Sequence, residues 1–462
     1  MQELNLGYHY PIIYWNTACL IINAGANEEL DDNKSTQYGK IAKAIANFKQ
    51  RSIIVDRPLI NEAKFSFVPD EKNNRIIFSF KGLCGIGDDI ARAIVEHQPY
   101  SSFEDFCKRM VDTKIIGTAK TIILIKAGCF NELDSPDRME TMKKFLSRNV
   151  FTPIDKLTMQ QFNSALEYDI FPKEMETMIR IKNFKAYALH ESFFLKNIID
   201  EGKKVPKKGY HDRYFALDER GTEFLMEHFN TCIVGTKEDG VIISEKLFNK
   251  EWDALIQPLK DYMALPETLQ LYNQKKLDST MESYASGSLE QWDMESLSYY
   301  PDRHELWNLN EPKYGVVDYN SLPEIPEVYD YTTRRVRGEI KHFPKYKIFR
   351  LAGTVLDSDN NKHLVTLLTN HSVVTCKYNK GQYSYYNKRI SEQTPAGKKK
   401  VLEESWFKRG SKIIVCGYRR EDQFVVTKYA DTVYTHTTNR IEEIYNDGTI
   451  LAQTDRKKVG EE

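Results

Sequence analysis

A pair of glycines ahead of a helix is the arrangement in this chain most able to do chemistry. The stretch reads Lys81-Gly82-Leu83-Cys84-Gly85-Ile86-Gly87-Asp88-Asp89, followed by apolar residues at Ile90, Ala93 and Ile94, which is helical spacing. Glycines let the backbone approach a neighbour closely, and the free N–H groups of a helix start attract phosphate. The contacts would come from the backbone at Gly85, Gly87 and Asp88, with charge from Lys81 and Arg92. Such contacts ignore base sequence and weaken steeply with salt. The same residues also describe an ordinary glycine turn capping a core helix, with Asp88 and Asp89 in the first turn where carboxylates suit a helix start.

The elements around this stretch narrow the choice. Phe65-Ser66-Phe67-Val68 and Ile76-Ile77-Phe78-Ser79-Phe80 read as strands around a polar turn. After the glycine pair come Phe103-Glu104-Asp105-Phe106, then Ile115-Ile116-Gly117-Thr118-Ala119-Lys120, then Ile125-Lys126-Ala127-Gly128-Cys129-Phe130. This order resembles the tandem helix-hairpin-helix region of the C-family replicative DNA polymerases (the DNA polymerase III alpha subunit). That family closes the region with alanine where Cys129 stands here. The resemblance implies that Gly117 and Lys120 belong to a second duplex-gripping hairpin. That hairpin has one glycine where the first has two, so it reads as the weaker grip.

The resemblance extends to two other places. The segment Tyr8-His9-Tyr10-Pro11 to Ile22 reads as a buried helix entered through a proline, and it is similar to the helix that closes the family's fingers. The run Ser288 to Tyr300, followed by His304, is similar to another family segment, with Ser298 in place of a glycine. His304 itself reads as structural. Glu267-Thr268-Leu269-Gln270-Leu271-Tyr272 stands where the family often carries a sliding-clamp peptide, but its opening glutamine and final phenylalanine are missing.

Charge is divided unevenly. Formal net charge is only −1, yet Glu251–Asp330 holds 16 acidic and 5 basic residues, and Arg334–Lys428 holds 21 basic and 8 acidic. Either the basic segment faces a polyanion or the two segments neutralise each other. The basic segment reads as strands at 347–356, 363–368, 373–378, 412–418 and 423–427, with a short helix at 382–390. A helix after the third of five strands is the order of an OB-fold barrel, which the resemblance also implies here. OB-folds bind single strands with a basic groove and aromatic platforms. The candidates are Lys377, Tyr378, Tyr383, Tyr385, Tyr386, Lys388 and Arg389, with the loop Lys398-Lys399-Lys400; some of the tyrosines must pack the barrel.

The expected architecture is α+β and multidomain. It comprises the end of a fingers subdomain (1–60), a β-hairpin with tandem helix-hairpin-helix (61–135), a mainly helical insertion (136–287), a connecting segment and linker (288–345), an OB-fold (346–435) and a polar tail, part helix and part disorder (436–462). Seven scattered cysteines without a CxxC pair read as reduced thiols of a cytosolic protein, with no zinc site and no signal peptide or membrane span; the resemblance implies that the cytoplasm is that of a bacterial host cell.

The family's catalytic proline-aspartate-isoleucine-aspartate strand is not in this sequence. Asp357-Ser358-Asp359 reads as turn-forming. The expected role is therefore the DNA-binding C-terminal part of a replicative polymerase. The palm and its Mg2+ would be supplied by another chain, and no cofactor is expected in this one. A split of this kind fits a phage or mobile genome. The alternative is a stand-alone DNA-binding accessory protein.

Overall fold

The computed structural model describes residues 10–26, 35–49, 52–195, 213–237, 240–393, 399–428 and 437–457. They form two compact units, Met1–Lys144 with Ala285–Glu462, and Phe145–Tyr284.

In the first unit, helices α1 (Ile12–Ala24) and α2 (Tyr38–Lys49) lead into a small sheet. Pro11 stands at the start of α1, as the sequence suggests, and Gly25 closes it in a left-handed conformation, φ +64°. The expectation of a buried helix holds for one face of α1 only. Ile13, Asn16, Thr17, Leu20 and Ala24 face inward, but Ile12, Trp15 and Ile22 are each more than half exposed. In α2 the inward face is Ile41, Ala42, Ile45 and Phe48, so the lysines fall on other faces.

The sheet has the order β1 (Ile54–Asp56), β3 (Arg75–Ile77), β2 (Val68–Asp70), with β1 and β3 parallel. Its strands are shorter than the aromatic runs suggest. Phe65, Phe67, Phe78 and Phe80 lie outside strands and pack the core instead. Two hairpin helices follow, α3 (Asp88–Glu96) and α5 (Thr118–Ala127), separated by the short α4 (Phe103–Phe106) and one π-helical turn, Cys107–Val111. Phe103 and Phe106 pack against Phe130 at 4.8 Å, edge to face. Helix α6 (Arg138–Asn149) leads out of this region.

The second unit is mainly helical, as expected, but holds a sheet that the sequence reading omits. Helices α7 (Phe162–Glu167) and α8 (Glu176–Ala188) precede β4 (Tyr214–Ala216), α9 (Glu219–His228), β5 (Ile233–Lys237) and β6 (Gly240–Ser244). The strand order is β4-β6-β5. Helices α10 (Glu245–Leu255), α11 (Gln257–Met263) and α12 (Pro266–Ala285) complete it. The stretch Glu267–Tyr272 is part of α12, with Tyr272 in the core. It is a packed helix and not a free clamp peptide.

The chain then returns to the first unit through α13 (Leu289–Ser296) and α14 (Glu311–Tyr314). The segment read as linker or wrap is a wrap. Tyr319 and Leu322 enter the barrel core, and Val317 N–H donates to the Arg350 carbonyl at 3.0 Å. A two-stranded ribbon follows, β7 (Val328–Val336) and β8 (Glu339–Tyr346), where the sequence reading places only the end of a linker.

The barrel comprises β9 (Phe349–Asp359), β10 (Leu364–Leu368), β11 (Val373–Lys377), α15 (Lys380–Asn387), the small hairpin β12 (Ile390–Gln393) and β13 (Lys399–Glu403), then β14 (Lys412–Arg420) and β15 (Gln423–Val426). Strands β9-β10-β11-β15-β14 close on β9, with β11 and β15 parallel. This is a closed five-stranded barrel with a helix after its third strand, consistent with an OB-fold. Gly353 and Gly417 permit the tight closure, because a Cβ at either would lie within 3 Å of a backbone oxygen. Asp359 accepts from the N–H groups of Asn361 and Lys362, so Asp357-Ser358-Asp359 does shape a turn.

The tail is corrected too. Its described part forms β16 (Thr438–Ile444) and β17 (Ile450–Gln453), which extend the sheet from β14. Arg456 ends buried on Glu403 at 2.7 Å, and Glu403 also accepts from Trp406 Nε1 at 2.7 Å.

Candidate nucleic-acid interface

The two hairpins are built alike. Gly85-Ile86-Gly87-Asp88-Asp89-Ile90 and Ile115-Ile116-Gly117-Thr118-Ala119-Lys120 show the same alternation of exposure. Ile86 and Ile116 are buried, and Gly87 and Gly117 are open. Gly87 caps α3 with φ −83° and ψ 165°, and Gly117 caps α5 with φ −83° and ψ 164°. Neither helix has a side-chain cap, so its first N–H groups remain available to a ligand. A Cβ at Gly87 or Gly117 would meet nothing within 4 Å. The single glycine of the second hairpin therefore gives the same cap as the pair in the first, and its weaker reading is not borne out by the backbone.

Gly85 has a different task. Its φ of +82° makes the turn, and a Cβ there would touch Ile123 Cδ1 at 3.2 Å. Lys120 Nζ donates to the Gly85 carbonyl and ties the second hairpin's helix to the first hairpin's turn. Lys81 is paired with Asp88. The Arg92 guanidinium lies 4.1 Å from the Phe65 ring centroid. Both cations expected to add charge to the first hairpin thus have partners within the fold.

Helix α13 anchors this platform, which explains why its sequence belongs with the hairpins. Cys84 N–H donates to the Ser296 carbonyl at 2.8 Å. Asp293, almost fully buried, binds Arg57 at 2.5 and 2.9 Å and Arg138 at 2.5 Å. These arginines also donate to the carbonyls of Ala127 and Lys126 at the end of α5. Burial works against the Arg57 charge, but Asp293 and Asp302 outweigh it and raise its pKa. For Arg138 burial is the larger effect and the pKa is lowered. His304 is held neutral by burial, which pushes its imidazole down to about 4. Its Nδ1 accepts from Leu306 N–H at 3.0 Å, a structural role.

The barrel candidates fare less well. Tyr378, Tyr383 and Tyr386 are 2%, 3% and 5% exposed and pack with Trp406 and Phe407 in the core. As stacking platforms they are corrected, because a buried ring has no face to offer a base. Tyr385 is half exposed. Lys377 Nζ is bonded to the Lys362 carbonyl, Arg389 pairs with Glu404 at 3.0 Å, and Lys388 is exposed. Lys398 lies outside the described residues, and Lys399 opens β13.

The residues that the sequence reading misses are on the ribbon. Tyr329, Tyr331, Arg334, Arg335, Arg337 and Phe343 all stand in solvent. The available signal was Arg337-Gly338 between alternating residues. Both residues have positive φ, +54° and +88°, as a two-residue hairpin turn requires. Pro344 obscures the strand pattern, since proline argues against a strand unless it lies at an edge.

A helix-hairpin-helix family model matches residues 52–140. The chain is 40% identical, over 99% of its length, to a protein described as a probable DNA polymerase, YorL, of Bacillus subtilis strain 168. It is equally similar to a DNA-directed DNA polymerase of Bacillus phage SPbeta. It spans 34% of the length of each. Among the described residues no helix is long and apolar enough to cross a membrane. This chain is therefore similar to about a third of two DNA polymerases and carries a helix-hairpin-helix region.

Proposed function

We propose that the chain is the DNA-gripping part of a C-family replicative DNA polymerase and corresponds to that family's C-terminal portion. The hairpins hold the primer–template duplex through backbone N–H groups at Gly87, Asp88, Gly117 and Thr118. The barrel region holds single-stranded template, and another chain supplies the palm with its aspartates and Mg2+. The observation that carries this reading is the matched pair of open, uncapped helix starts at Gly87 and Gly117, inside the region similar to helix-hairpin-helix proteins. The similarity to a third of two DNA polymerases supports the polymerase context. The exposed Ile12, Trp15 and Ile22 of α1 fit a surface covered by the palm-bearing chain.

The test is fluorescence anisotropy of the full chain on single-stranded, duplex and primer–template DNA across a salt series. Preference for the primer–template junction with a steep salt slope is expected. Nucleotide incorporation should appear only when a palm-bearing chain is added. No DNA binding at low salt, with or without that chain, overturns the reading. Junction binding with no incorporation alongside any palm-bearing neighbour favours a stand-alone accessory protein.

A further inference from the structure

We propose that the ribbon β7–β8, with the barrel edge at its root, is a binding site for single-stranded DNA. The site stacks bases on Tyr329 and Phe343 and neutralises phosphates with Arg334, which shares their face of the ribbon, and with Arg337 at its turn. This rests on the reading of the chain as DNA-binding, and it moves the single-strand contact from the buried barrel tyrosines to a surface exposed among the described residues.

Four observations carry it. First, the ribbon packs on almost nothing along its length: nearly every residue of both strands is exposed. An isolated two-stranded ribbon is marginally stable in water, so its length asks for a partner. Second, Arg334 stands directly opposite Lys341 in the antiparallel register. Like charges at such positions destabilise a sheet; Glu339 pairs with Lys341 at 3.8 Å and leaves Arg334 for an outside anion. Third, the side chains of Arg334 and Arg337 make no ion pair or hydrogen bond among the described residues. The neighbouring Lys345 is by contrast paired with Asp330 at 2.7 Å.

Fourth, a cleft of about 390 Å³ opens where the ribbon meets the barrel. It is lined by Tyr329, Arg334, Phe343, Tyr346, Tyr418 and Lys428. Arg420 donates to the Tyr346 hydroxyl at 3.2 Å, and the Tyr346 and Tyr418 rings lie 4.5 Å apart, which makes a firm floor. Exposed rings interleaved with unpaired arginines suit a single strand, because its base faces are free to stack. A duplex hides those faces, so the rings would gain little from it.

The experiment compares the full chain with two variants, Tyr329→Ala/Phe343→Ala and Arg334→Ala/Arg337→Ala, on labelled oligo(dT) and on duplex DNA. These side chains are exposed, so thermal melting should be unchanged. The aromatic variant should lose about fivefold or more in oligo(dT) affinity per ring. The arginine variant should flatten the slope of log affinity against log salt by about 1.4, or about 0.7 for each lost contact. Duplex binding should hold in both. Photocrosslinking of the unaltered chain to oligonucleotides bearing 5-iododeoxyuridine should label peptide 328–346.

Unchanged oligo(dT) binding in both variants, or crosslinks only elsewhere, overturns the ribbon site while the DNA-binding reading stands. Equal losses on duplex and single strand overturn the single-strand assignment. Failure of the unaltered chain to bind either DNA overturns both readings.

Discussion

The first hairpin has the richer glycine motif and the second has the better electrostatics. Their helix caps agree to within a degree, yet α3 begins Asp88-Asp89 and α5 begins Thr118-Ala119-Lys120. A helix N-terminus attracts anions, and carboxylates placed there compete for the same N–H groups. In the first hairpin Asp88 also occupies Lys81. In the second, no acid lies in the first turn. Shape alone would rank the hairpins equal, and glycine count would favour the first. On the proposed DNA-gripping reading, charge makes the second the stronger phosphate site and the first the weaker one.

The largest effect should come from the anchor beneath both. Asp293→Ala would leave Arg57 and Arg138 buried without their shared carboxylate. Breaking a buried ion pair in this way costs about 3–5 kcal/mol, to be read by denaturant unfolding. A loss below about 1 kcal/mol would mean that the arginines find other partners and that the hairpins do not depend on α13.

Next is Gly85→Val. The left-handed backbone and the contact with Ile123 should cost about 2 kcal/mol of stability, with duplex affinity falling only as far as folding does. At Gly117 the balance reverses. Valine there has space and an ordinary φ, so stability should barely change. The side chain would nevertheless stand over the N–H groups, and duplex affinity should fall about tenfold or more by anisotropy. Gly87→Val should lose less than Gly117→Val. The opposite ranking would show that glycine count, and not charge, sets the grip.

What the sequence disclosed follows the range of the interactions involved. The hairpins, the barrel order and the helix after its third strand are written in local spacing, and the structure has them. The buried Tyr378, just past the end of β11, and Tyr383, on α15, could not be told from exposed platforms, because local spacing says which residues share a face but not which face packs inward. Strands β16 and β17 were legible in principle, because Asp447-Gly448 stands between Ile441, Ile444 and Ile450, Leu451, a local hairpin signal that the polar residues around it obscure. The Asp293 anchor joins residues far apart in the chain, so no spacing rule could disclose it. The matched cap at Gly117 was legible in principle, since Ile116-Gly117 repeats Ile86-Gly87. Counting glycines hid this, because Gly85 and Gly87 do different work.

The smallest expected effect is the sharpest probe of the comparison. Asp88→Asn/Asp89→Asn removes the two charges that set the first helix start apart from the second and releases Lys81. Losing carboxylates from a first turn costs helix stability, about 0.3–1 kcal/mol each, so melting should move down slightly. Duplex affinity should nonetheless rise a few-fold, and the salt slope should steepen by about 0.9 as Lys81 gains a phosphate. Stability and affinity moving in opposite directions is the signature, because a merely structural hairpin would lose both or neither. If affinity does not rise, the first hairpin stays clear of the duplex, and its two glycines serve only to carry the turn on which Lys120 rests.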